Sequence, residues 1–171
     1  MAISLENPPI TPELYLQTLE ELSLRAVCVD EISATCNRDV LDGGRTTISI
    51  ASKNFARQTP DEYHTYITYQ LTGVQDEVSV LKIEATFCVI FDTMERVPDG
   101  FFEVFSESNL VLTTMPYFRE LIASVTGRME LPTLTIPYNI FSGGEPTSRE
   151  ELREPNPPEP PAKKTRRKKD Q

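Results

Sequence analysis

The period of the apolar positions shifts along the chain, and each shift marks an element. Thr11-Pro12-Glu13 has the form of a helix start, with Thr11 as N-cap and Pro12 at the first helical position, where its missing N–H costs nothing. Leu14, Leu16, Leu19 and Leu22 follow, and a short helix is predicted from about Pro12 to about Glu21. Leu22, Leu24, Ala26 and Cys28 then take alternate positions, and Ile32, Ala34 and Cys36 resume the phase after Asp30, as in a long strand. Asp42-Gly43-Gly44 is a turn signal. Beyond it Thr46 to Ser52 alternates again, with Ile48 and Ile50 on one side.

Two further strands have the strongest patterning. Tyr63, Thr65, Ile67, Tyr69 and Leu71 alternate with His64, Tyr66, Thr68, Gln70 and Thr72, and β-branched and aromatic residues dominate. From Val78 to Phe91, Leu81, Ile83, Ala85, Phe87, Val89 and Phe91 share one face, against Lys82, Glu84, Thr86 and Cys88. Only a short turn around Gly73 to Glu77 joins these strands, so they are antiparallel neighbours and not βαβ units. The helical period appears only later, in Phe118, Leu121, Ile122, Val125 and Met129, a continuous stripe that must be buried. Pro116 either begins this helix or kinks a longer one starting near Asn109. Phe101, Phe102 and Phe105 fit a short helical turn before it. The predicted class is α+β: a four-stranded antiparallel sheet packed against a long C-terminal helix, with a short N-terminal helix.

Composition changes the picture at the C-terminus. The chain has 171 residues and a net charge of −9, but residues 163–171 hold six of the 17 basic side chains and one of the 26 acidic ones. Residues 1–161 therefore keep 11 basic and 25 acidic side chains, a net −14. Such a body repels nucleic acid and anionic membrane and attracts basic partners or basic unfolded segments. After Ser142 apolar residues almost vanish, and Pro155-Asn156-Pro157-Pro158-Glu159-Pro160-Pro161 precedes the basic run, so residues 143–171 are predicted to be a disordered tail on a 1–142 domain. No apolar run reaches the ~18 residues of a membrane span, and the start lacks the basic and hydrophobic regions of a secretory signal. Cytoplasmic localisation is expected. Cys28, Cys36 and Cys88 are an odd set without close spacing, which suits a reducing compartment and a role as small core residues.

Catalytic chemistry finds little support. His64 is the only histidine, and no Cys-x-x-Cys, phosphate loop or nucleophile motif accompanies it. No metal, cofactor or catalytic residue is assigned. The competing class is an adaptor whose basic run Lys163 to Lys169 binds nucleic acid, an interaction that would be weak and salt-dependent and that the acidic body opposes.

Residues 109–141 carry a resemblance. Pro116-Tyr117-Phe118-Arg119-Glu120 on a helix, then Leu131-Pro132-Thr133-Leu134, then Pro137-Tyr138-Asn139-Ile140-Phe141, resemble the C-terminal half of SecB-type protein-export chaperones. The likeness extends more loosely back to about residue 22. It implies an ATP-independent holdase and not an enzyme, cytoplasmic and homotetrameric as a dimer of dimers, with long helices packed between subunits. Tyr117, Thr126 and Met129 are the expected subunit contacts. Clients, either unfolded preproteins or an antitoxin, are expected along apolar grooves formed by Phe101, Phe102, Phe105, Leu131, Leu134, Ile136, Ile140 and Phe141. Asp30 and Glu84 fall near acidic strand positions where the family docks the motor SecA, and they are the expected partner contacts. Two departures, a short and less aromatic Asn37–Arg45 loop and a Pro-rich tail in place of a second C-terminal helix, look more like the divergent SecB-like chaperones of toxin–antitoxin pairs.

Overall fold

The computed structural model describes residues 9–41, 44–132 and 134–136. Its elements are α1 (Pro12–Glu21), β1 (Ser23–Cys36), β2 (Thr47–Gln58), β3 (Glu62–Gln75), β4 (Val78–Asp92), α2 (Phe101–Glu107) and α3 (Asn109–Arg128). The strands form one antiparallel sheet in the order β1-β4-β3-β2. β2, β3 and β4 follow one another directly, and β1 lies beside β4, the Greek-key arrangement. The predicted class holds. β2 runs six residues past the predicted Ser52, because Asn54, Ala56 and Gln58 continue to pair with Ile67, Thr65 and Tyr63 although little of that stretch is apolar.

Local chemistry explains the boundaries. Thr11 caps α1 through its hydroxyl, which accepts from the Leu14 N–H at 3.4 Å, and Pro12 occupies the first turn. β1 carries two bulges where a single phase was expected: its register against β4 shifts between Leu24 and Ala26 and again between Val29 and Glu31, so Ala26 and Cys28 face away from Leu24 and Ile32. The β3–β4 hairpin turns through Asp76 and Glu77 at φ 46° and 63°, both left-handed, as the twist of a two-residue hairpin requires. Pro116 lies inside α3, where it removes the N–H that would bond to Leu112.

The core lies on one face of the sheet. Ile67, Tyr69, Leu71, Ile83 and Phe87 are fully buried beneath α3, which contributes Leu110, Phe118 and Ile122. The Phe118 ring stacks on Tyr69 at 4.6 Å and meets Phe87 edge-on at 6.3 Å. Tyr69 keeps its polar end satisfied: its hydroxyl lies 2.8 Å from the Thr114 hydroxyl, which in turn donates to the Leu110 carbonyl. Burial pushes the Tyr69 phenol up to about 12. The predicted stripe of α3 faces this core, with Phe118 and Ile122 fully buried and Leu121, Val125 and Met129 half-buried against it.

Candidate client-binding surface

The α2 aromatics divide by depth. Phe101 stacks between Tyr15 (5.2 Å) and Phe105 (5.3 Å), and Phe105 meets Phe91 edge-on at 5.6 Å. Both phenylalanines are core residues that tie α1 and α2 to the sheet, and neither offers a surface to a client in this fold. Gly100 makes this docking possible. Its φ of 85° is left-handed, and a Cβ there would stand 2.3 Å from the Pro9 carbonyl oxygen. Phe102, one residue round the helix, is only half-buried. It lines an open groove of about 870 Å³ together with Ala56, Tyr63, Met94, Val97 and Pro98. Met94 is fully exposed there, and Glu95, Asp99 and Glu103 give the rim an acidic character that Arg96 partly offsets. The Tyr63 phenol in the groove wall is pushed up to about 12, first by burial and then by the nearby Glu103 carboxylate.

The chain leaving α3 is aimed by a Schellman motif. Glu130 is left-handed at φ 55°, its N–H donates to the Gly127 carbonyl at 3.1 Å, and the Leu131 N–H donates to the Thr126 carbonyl at 3.0 Å. Arg38 donates to the Met129 carbonyl at 2.6 Å, fastening the β1–β2 connection to the same turn. Leu131 and Leu134 are half-buried against the core and Ile136 is buried, so the first two keep apolar surface open while the third does not. Ile140 and Phe141 lie outside the described residues. Of the expected subunit contacts, Tyr117 is exposed and Met129 half-buried. Thr126 is buried, with its hydroxyl donating back to the Ile122 carbonyl at 2.8 Å.

A surface not anticipated from the sequence lies on β1. Leu24, Val29 and Ile32 point to the same side of the sheet as the core residues of β4, yet they stay 55%, 45% and 48% exposed, because α3 covers β3 and β4 and stops short of the edge. Alternation had placed Leu24 and Ile32 on one face with Ala26 and Cys28, and Val29 on the other; the two bulges bring Val29 to this side and turn Ala26 and Cys28 away, and only the strand order shows that no helix covers the strip.

The opposite face of the sheet is polar. Glu84 lies 3.4 Å from Lys82 and accepts a long hydrogen bond from Gln70, so its charge is partly paired. Asp30 projects from the β1 bulge. Phe55 stacks on Tyr66 at 4.5 Å, an aromatic pair on this face. His64 lies 2.7 Å from Glu62, which also pairs with Arg25. The His64 contact, then burial in the opposing sense, then the Arg25 charge leave the Glu62 carboxyl below its ordinary range. The Tyr66 hydroxyl is 3.5 Å from the other His64 nitrogen. Among the described residues no three His, Cys, Asp or Glu side chains are grouped to hold a metal, and no helix is long and apolar enough to cross a membrane.

This geometry, a Greek-key antiparallel sheet with one face under a long helix and two short helices packed together through Tyr15 and Phe101, is a SecB-like fold. Among solved structures, the SecB-like chaperone Rv1957 of Mycobacterium tuberculosis, in complex with a ChAD peptide from the Rv1956 HigA1 antitoxin, shares it at a TM-score of 0.65. The sequences are 17% identical, and the match covers 73% of this chain and 95% of that one. A protein of unknown function from Streptococcus agalactiae matches at a TM-score of 0.45 and 12% identity over 69% of this chain and 98% of that one. No family model and no curated protein matches the chain by sequence.

Proposed function

We propose that the chain is an ATP-independent holdase that binds non-native polypeptide segments and carries out no catalysis. The observation that supports this most is the fold it shares with a chaperone solved with an antitoxin peptide. The exposed apolar surface agrees with it: a binder of many extended segments needs adaptable apolar grooves, and Met94, Phe102, Leu131 and Leu134 supply flexible or half-open side chains. The acidic rim adds attraction for basic stretches of an unfolded client.

In this reading the uncovered strip of β1, with the exposed Leu112 and Tyr117 of α3, serves contacts between subunits of a homotetramer built as a dimer of dimers. The protein works in the cytoplasm. The peptide on the mycobacterial neighbour favours a dedicated, aggregation-prone partner such as an antitoxin, with export-competent preproteins as the broader client class. If the chain also serves export, Asp30 and Glu84 on the open face are where SecA would dock.

Light scattering of a chemically unfolded, slow-folding protein diluted into buffer with this chain at tetramer-stoichiometric amounts, without nucleotide, tests the proposal. Suppressed aggregation is expected. Scattering unchanged for both a general client and an aggregation-prone antitoxin would overturn it. Removing residues 143–171 should leave suppression intact, whereas a nucleic-acid adaptor acting through Lys163 to Lys169 would lose its binding.

A further inference from the structure

Cys28 on β1 and Cys88 on β4 stand directly opposite one another in the antiparallel register, although 60 positions separate them in the chain. Opposed residues of an antiparallel pair project to the same face with Cα atoms about 4.5–5.5 Å apart, inside the roughly 4.4–6.8 Å that a disulfide spans. The side chains bear this out. The Cys28 sulfur lies 3.5 Å from the Cys88 carbonyl oxygen. Cys28 is exposed, Cys88 is buried beneath it, and Cys36 pairs with Leu81 on the helix side of the sheet, away from both.

We infer that Cys28 and Cys88 form a thiol–disulfide site on the open face of the sheet, oxidised by low-molecular-weight disulfides and restored by thiols. The exposure of Cys28 makes it the group that meets the reagent. Its thiolate attacks one sulfur of the small disulfide, forming a mixed disulfide and expelling one thiolate. Cys88, once deprotonated, then attacks the Cys28 sulfur and releases the second thiol. The balance is two protein thiols and one small disulfide in, one protein disulfide and two small thiols out.

The surroundings suit these separate roles. Burial pushes the Cys88 thiol up, and a hydrogen bond from the Tyr66 hydroxyl works in the opposite sense by favouring its thiolate. The completed bond ties the edge strand β1 to the interior strand β4 beside the Asp30 bulge.

The test treats the folded full-length chain with glutathione disulfide, blocks free thiols with iodoacetamide, and maps the linkages by mass spectrometry without reduction. The expected product has lost two hydrogens, links the peptides containing Cys28 and Cys88, and leaves Cys36 alkylated; dithiothreitol reverses it. Cys36→Ser should behave like the wild type, and Cys88→Ser should stop at a glutathione adduct on Cys28. In urea the selectivity should disappear, with Cys36 joining the pairings. A wild-type chain that ends as a stable glutathione adduct on Cys28, that links Cys28 mainly to Cys36 or to a second chain, or that does not react would overturn the inference.

Discussion

The two halves of the helix-facing side of the sheet are both apolar and have different fates. On β3 and β4, Ile67, Tyr69, Leu71, Ile83 and Phe87 are sealed under α3, whereas on β1, Leu24, Val29 and Ile32 remain about half exposed. Period-two patterning states which residues share a face. It does not state how far a helix reaches across that face. An edge strand with an uncovered apolar side is a surface that proteins normally cover or blunt, and its exposure here is what the proposed subunit contact would cover.

The contrast can be broken most forcefully at its covered end. Phe118→Ala removes the ring between Tyr69 and Phe87 and should destabilise the fold by about 3–5 kcal/mol in urea titration. Gly100→Ala, which forces a left-handed φ on a residue whose Cβ meets the Pro9 carbonyl, should cost about 1–3 kcal/mol and loosen the docking of α1 and α2. Glu130→Gly relieves a left-handed non-glycine residue in the Schellman turn and should stabilise by about 1 kcal/mol, seen as a higher melting temperature.

The uncovered end should respond in the opposite manner. Val29→Ser with Ile32→Ser should cost less than about 1 kcal/mol in folding of the single chain, since those side chains are already half in water. The same double variant should shift the proposed homotetramer to smaller species in size-exclusion chromatography. A loss of stability as large as that of Phe118→Ala would show that β1 is covered within one chain and erase the comparison.

The smallest effect concerns pH. Glu62 has a folded pKa below its ordinary value, so its contribution is present above the unfolded pKa and is lost as pH falls through the folded one. Glu62→Gln should therefore lower stability slightly at neutral pH, where that contribution is present, and converge with the wild type as pH falls through the carboxylate range.

Much of this architecture was legible before the structure. The helix from Pro12 to Glu21, the long β3 and β4 and the buried stripe of α3 follow from period and capping, whereas the two β1 bulges do not, because Leu24, Ala26, Cys28 and Ile32 read as one phase and the structure turns Ala26 and Cys28 to the other face. The strand order was not legible, because an alternating β1 suits either edge of the sheet equally well. That one missing fact hid both the uncovered apolar strip and the Cys28–Cys88 pair, which spacing alone had left unmatched. The aromatic cluster was ambiguous for another reason: three neighbouring phenylalanines read alike whether they fill a core or line a groove. Packing sends Phe101 and Phe105 inward and leaves Phe102 on the groove with Met94 and Val97, two residues that no sequence signal had singled out.

The central claim, that the chain holds non-native polypeptide on apolar surface, is tested most directly by fluorescence anisotropy of a labelled, permanently unfolded polypeptide titrated with the protein across a salt series and without nucleotide. The account predicts saturable binding that persists at high salt, because apolar contact survives charge screening. No binding, or binding abolished by salt alone, would contradict it.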